Sequence, residues 1–167
     1  MAHSRIVQFR DEPMNDSNKS ELLSADDFVD DVCFVGPIAD YVSDECDSID
    51  DFKWLIEALR SILGVDCERH FSWHCDPNET YIIFNPSFKT AYFQSQYKSF
   101  MELVSQTTID NFSCRQHMQN LEDTVQEKFG FYVASDSFSL EPLDSFIRSI
   151  PNEESKFWLW TTIDYHY

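Results

Sequence analysis

The chain has 167 residues, of which 30 are acidic and 12 are basic, and its formal net charge is −18 at pH 7. This length predicts one domain over residues 1–167, and an aromatic content of 16% predicts a packed core, because disordered chains are poor in aromatic residues. The negative charge argues against direct nucleic-acid binding. No segment approaches the ~18 consecutive apolar residues of a membrane span. Five scattered cysteines without a secretory signal predict a cytoplasmic location.

The first half of the chain predicts a strand over residues 4–10 and then mainly helices. Ser24 and Asp27 have the spacing of a capping box, which predicts a short helix to about residue 33 with Phe28 and Val32 buried. One more helical turn is expected over 38–42. A helix over 49–63, with Ser48 as its cap and Gly64 at its end, has the clearest periodicity. Its predicted buried face comprises Phe52, Leu55, Ile56, Leu59 and Leu63.

The second half predicts a hairpin over 70–84, helices over about 88–105 and 113–129, and a strand over 131–133. A brief helix over 143–150 and a long strand over 156–167 follow. The predicted buried face of the first helix is Phe93, Tyr97, Phe100 and Val104, and that of the second is Cys114, Met118, Leu121, Val125 and Phe129. In the last strand, Phe157, Leu159, Thr161, Ile163 and Tyr165 are expected on one face. This order of elements predicts an α+β fold, with a small, mainly antiparallel sheet packed by several helices.

The acidic residues are concentrated in an N-terminal portion, about 11–51. Fourteen acids fall between Asp11 and Asp51, with Lys19 as the one base among them. Apolar residues such as Phe28, Phe34 and Tyr41 lie between the acids, so the portion is expected to fold and to hold its carboxylates in place. The candidate partner-binding residues are Asp26, Asp27, Asp30, Asp31, Asp40, Asp44, Glu45, Asp47, Asp50 and Asp51.

A folded surface of carboxylates is suited to the Lys- and Arg-lined grooves with which proteins hold nucleic acid. In size, charge and lack of catalytic motifs, the chain resembles the small acidic inhibitors that phages and mobile genetic elements make against CRISPR nucleases or restriction enzymes. It matches no family motif residue by residue. We therefore expect a non-enzymatic inhibitor, a DNA mimic that binds a basic nucleic-acid-processing protein. Two alternatives are an immunity or antitoxin protein that neutralises a toxin and a small metal-dependent enzyme; a third is that the acids only increase solubility.

The candidate metal ligands are Cys67, His70, His74 and Cys75, the one cluster of soft ligands in the sequence. On a strand, His70 and His74 share a face but lie roughly 13 Å apart, which is too far to bind one ion. The spacing therefore favours a core cysteine and surface histidines over a zinc site. No nucleophile motif or phosphate-binding loop is present. No cofactor is expected, and paired carboxylates such as Asp50 and Asp51 are interpreted as solvated surface.

Overall fold

The computed structural model describes residues 3–29, 34–125, 129–136 and 139–167. Within them, the strands are β1 (His3–Arg10), β2 (Tyr41–Ser43), β3 (Phe71–Cys75), β4 (Thr80–Phe84), β5 (Tyr132–Asp136), β6 (Ser139–Pro142) and β7 (Ser155–His166). The α-helices are α1 (Ser48–Leu63), α2 (Phe88–Ser105), α3 (Arg115–Asp123) and α4 (Leu143–Ser149). Short 3₁₀ helices lie at Lys19–Glu21, Ala25–Phe28 and Cys67–Arg69.

All seven strands belong to one sheet, in the order β3-β4-β7-β1-β5-β6, with β2 paired to the end of β7. β1 and β5 run parallel, and the other neighbouring pairs are antiparallel. The predicted α+β single-domain class with a mainly antiparallel sheet is therefore confirmed. The sheet is larger than the small one that was expected, because β2 and β6 join it and β7 spans 12 residues.

A bulge in β7 decides which residues face each side of the sheet. Gln8 pairs with Thr161 but Phe9 pairs with Leu159, so Trp160 is an extra residue on β7. An extra residue shifts the alternation of side chains by one. Leu159 consequently packs in one core and Ile163 in the core on the opposite face. The prediction that Phe157, Leu159, Thr161, Ile163 and Tyr165 share a face is wrong for this reason.

The larger core lies between one face of the sheet and the helices α1, α2 and α4. Phe52, Leu55, Ile56 and Leu59 of α1 are buried in it, as the periodicity predicts, while Leu63 is only half-buried. The helix ends at Gly64, as expected, but its cap is Asp47 rather than Ser48. The Asp47 side chain accepts hydrogen bonds from the backbone N–H groups of Ile49 and Asp50.

Three local predictions are wrong. Residues 38–42 form no helical turn, since Tyr41–Ser43 is a strand that pairs with β7. In α2 the buried residues are Phe88 and Tyr92 rather than the predicted face, and Tyr97 is 65% exposed. The next helix is shorter than predicted, and α3 buries none of its residues. The predicted helix after Ser24 is a 3₁₀ turn, Ala25–Phe28, and its extension through Val32 lies outside the described residues.

Candidate functional site

The acidic portion of the chain is attached to the sheet through a second, smaller core. Phe34 is buried at its centre and contacts the rings of Phe28, Tyr132 and Tyr165, with centroid distances of 6.1, 5.1 and 5.1 Å. Edge-to-face pairs of this kind fix side chains more specifically than area burial alone. Phe28 and Phe34 are therefore held against the face of the sheet opposite α1.

Two hydrogen bonds from backbone N–H groups to carboxylates fix parts of the acidic portion. The backbone N–H of Ser24 donates to the Asp27 carboxylate at 2.7 Å, as the predicted capping box requires. The backbone N–H of Ala25 donates to the Asp44 carboxylate, also at 2.7 Å. The second bond joins residues 19 positions apart in the chain. It places the acids around Asp26 beside those that follow β2.

Seven of the ten predicted partner-binding residues are exposed to solvent, and we call them the acidic surface: Asp26, Asp27, Asp40, Asp44, Glu45, Asp47 and Asp50. Asp30 and Asp31 lie outside the described residues. Among the described residues, Asp50 is the one member of this surface with a cationic partner, Lys53, at 2.8 Å. The other six carboxylates have no ion pair within the described part of the chain. That these residues bind a partner stays a prediction.

Asp51 differs from its neighbour Asp50 because it is buried, with 6% of its surface exposed. Its carboxylate accepts hydrogen bonds from Arg5 Nε at 2.6 Å and from Thr162 Oγ1 at 2.8 Å. Arg5 also donates to Asp164, and its guanidinium lies 5.4 Å from the ring of Trp54. The interpretation of Asp51 as solvated surface is therefore wrong, because the first turn of α1 points it into the protein.

We call Arg5, Ser48, Asp51, Thr162 and Asp164 the polar network; Ser48 belongs to it because its Oγ accepts a hydrogen bond from the backbone N–H of Thr162 at 3.1 Å. It lies where the N-terminus of α1 meets β1 and β7. Cys46 adjoins it, with its Sγ 3.0 Å from the carbonyl oxygen of Thr162. Burial raises the pKa of the Cys46 thiol, and the nearby Asp51 charge acts in the same direction. One guanidinium between two carboxylates leaves the network with a formal charge of −1.

The four candidate metal ligands lie in different surroundings in the described structure. Cys67 is buried in the larger core, and Cys75 is half-buried at the end of β3. His70 Nδ1 lies 2.9 Å from Ser87 Oγ, and His74 Nε2 lies 2.5 Å from the Asp76 carboxylate. Each side chain thus has its own neighbours, and only Cys67 of the two cysteines is fully buried.

The structure instead brings together His3, Asp164 and His166, whose potential ligand atoms all lie within 4.8 Å of one another. Sequence analysis missed this cluster because His3 and Asp164 are 161 residues apart. The available signal was the alternation in β7, which puts Asp164 and His166 on one face. The missing information was the pairing of β1 with β7.

No protein-family model, no curated protein and no solved structure matches this chain. Within the described residues, no helix combines the length and the apolar character needed to cross a bilayer.

Proposed function

We propose that this chain is an acidic, non-enzymatic inhibitor that binds a basic nucleic-acid-processing protein, of the anti-CRISPR or anti-restriction type, and blocks nucleic-acid binding or cleavage. The observation that carries the proposal is the acidic surface, seven exposed carboxylates among which only Asp50 has a cationic partner in the described chain. Unneutralised carboxylates repel one another, so their clustering costs stability that ordinary solubility does not require. A cationic groove would relieve that repulsion on binding.

Rigidity supports the same proposal. The acidic surface is held by the Phe34 core, by the Ser24–Asp27 cap and by the hydrogen bond from Ala25 to Asp44. A surface fixed before binding loses less conformational entropy than a flexible acidic tail. Carboxylates in fixed positions also offer such a groove the same sign of charge as the phosphate backbone that it binds. Long-range attraction would speed association, and added salt would weaken it. We propose a cytoplasmic location for the complex, because the nuclease partner would act there.

The test must change the charge of the acidic surface without disturbing the fold. Asp26, Asp40, Glu45 and Asp50 make no hydrogen bond to backbone N–H groups in the described structure, whereas Asp27, Asp44 and Asp47 do. The first four are therefore changed to Asn or Gln together. The matched control neutralises four exposed acids elsewhere: Asp110, Glu122, Glu153 and Glu154. Both variants change the net charge by the same amount.

Each variant is used as bait in a lysate of bacterial host cells. The captured protein is identified, and its DNA binding is measured with and without the inhibitor. We expect the wild type and the control to capture the same basic protein and to displace its DNA, with weaker capture at higher salt. The acidic-surface variant should lose both. Equal capture by all three baits, or capture that does not depend on salt, would contradict the proposal. A captured toxin without nucleic-acid binding would instead support the immunity-protein alternative.

A further inference from the structure

The pairing of the two terminal strands brings two histidines and an aspartate to one place. His3 of β1 is directly opposite His166 of β7, and Arg5 is directly opposite Asp164. Directly opposed residues of an antiparallel pair share a face of the sheet, as do residues two apart on one strand. All four side chains therefore lie on the face that α1 covers, beyond the N-terminal end of that helix.

We propose that His3, Asp164 and His166 bind a divalent transition-metal ion, and we expect zinc. His3 Nδ1 and His166 Nε2 lie 3.1 and 3.2 Å from the same carboxylate oxygen, Asp164 Oδ2. Around a zinc ion with bonds of about 2.1 Å, neighbouring ligand atoms are separated by roughly 3.0–3.4 Å. Both distances fall within this range, so the two nitrogens are spaced from Asp164 Oδ2 as ligands of one ion would be. The rings of His3 and His166 are also close, with centroids 3.9 Å apart.

Neighbouring residues orient the Asp164 carboxylate as a metal ligand. Arg5 Nη1 donates to Asp164 Oδ1, whereas Oδ2 is the carboxylate oxygen nearer to His3 Nδ1 and lies 3.2 Å from His166 Nε2. Hydrogen bonds of this kind to a metal-binding carboxylate fix its orientation and tune the affinity. Arg5 is itself neutralised by Asp51 at 2.6 Å. With neutral histidines, the network and the cluster together carry −1, which favours a cation.

Ligand type and exposure indicate which ions fit. Two imidazoles and one carboxylate suit zinc and its transition-metal neighbours, whereas magnesium and calcium prefer oxygen ligands alone. The side chains of Asp164 and His166 are 10% and 17% exposed, but that of His3 is 49% exposed, so an ion can enter from solvent past His3. Three protein ligands leave a coordination position open for water or for a group from another molecule.

The experiment measures zinc binding by the isolated, metal-free full chain, in competition with a chromophoric chelator. The variants are His3→Gln and His166→Gln, and the control is His74→Gln. His74 is a suitable control because it is also an exposed histidine beside a carboxylate, Asp76. We expect one zinc per wild-type chain, and a loss of affinity of about tenfold or more in either ligand variant. The control should bind zinc like the wild type. Cobalt gives a second readout, since its visible absorption reports the ligand geometry.

Equal zinc affinity in the wild type and in both ligand variants would overturn the proposal, as would a loss confined to His74→Gln. Circular dichroism of each variant checks that it is folded like the wild type. His3→Gln is the variant less expected to disturb folding, because His3 is half-exposed and is the first residue of β1. No partner protein is present in this experiment, so its outcome is independent of the proposed inhibitory function.

Discussion

Asp50 and Asp51 are adjacent acids in the first turn of α1, and they provide a direct test of the polar network. Asp51→Ala removes a charge-assisted hydrogen bond from Arg5, about 1.5–3 kcal/mol, and a hydrogen bond from Thr162, about 1 kcal/mol. It also leaves the half-buried Arg5 with only one of its two carboxylate partners. We therefore expect Asp51→Ala to lower the free energy of unfolding by about 3 kcal/mol, in the range for a broken buried ion pair.

Asp50→Ala is the matched control. It removes the same charge from the same helix turn, so the interaction with the helix dipole is lost in both variants and cancels in their comparison. Among the described residues, Asp50 forms an ion pair only with Lys53, and both side chains are exposed, so its removal should change stability far less. The free energies are measured by urea unfolding with linear extrapolation. A difference between the two variants below about 1 kcal/mol would refute the assigned role of Asp51.

Three further predictions concern other parts of the fold. Phe34→Ala should lower the free energy of unfolding by about 3–5 kcal/mol, whereas the exposed Phe112→Ala should stay within about 0.5 kcal/mol; similar losses would contradict the second core. Gly64→Ala should cost about 1–3 kcal/mol in the same assay, because Gly64 has φ 77° and ψ −156°, and an unchanged stability would contradict this backbone geometry. Hydrogen bonds from the Asn78 backbone and from His74 lower the pKa of Asp76. The resulting stabilisation is present above the ordinary Asp pKa and is lost as the pH falls through the lowered one. Unfolding measured between about pH 5 and pH 2 should therefore depend less steeply on pH in Asp76→Asn, and an identical profile would contradict the lowered pKa.

The elements that the sequence predicts well are those with one buried face. The apolar residues of α1 recur at helical spacing because only that side meets the sheet. The hairpin of β3 and β4 was predicted because turn-forming residues separate two short runs of strand-forming residues. In both cases local pattern and tertiary environment agree, so the pattern is sufficient.

The predictions from sequence are wrong where the apolar residues of a strand or helix are not confined to one of its faces. Both faces of β7 are covered, by α1 and α4 on one side and by the Phe34 core on the other, so alternation gives no sign of the bulge at Trp160. In α2, aromatic residues occur on several sides of the helix. Its first turns are buried through Phe88 and Tyr92, while Tyr97 further along is exposed.

The candidate sites differ in how far the sequence predicts them. The acidic surface is local in the chain, so its existence could be predicted from charge counting, and seven of its acids are indeed exposed. Charge counting treats Asp50 and Asp51 alike, however, and only the contact with Arg5 distinguishes them. The histidine cluster needs β1 paired with β7 in one register, and a shift by one residue would send His166 to the other face.

Asp164 connects the polar network to the histidine cluster, because one of its oxygens accepts from Arg5 and the other lies between the two histidines. An ion bound there stabilises only the folded chain, by about 2.7 kcal/mol when the free ion is at 100 times its dissociation constant. That magnitude is close to the loss expected for Asp51→Ala. The pairing of β1 with β7 spans eight residue pairs, is reinforced by the ion pair of Arg5 with Asp51, and would gain further stabilisation from the proposed metal. The acidic surface borders both, since Asp47 caps α1 beside the polar network and the backbone N–H of Asp40 donates to the carbonyl oxygen of His166 at 3.0 Å.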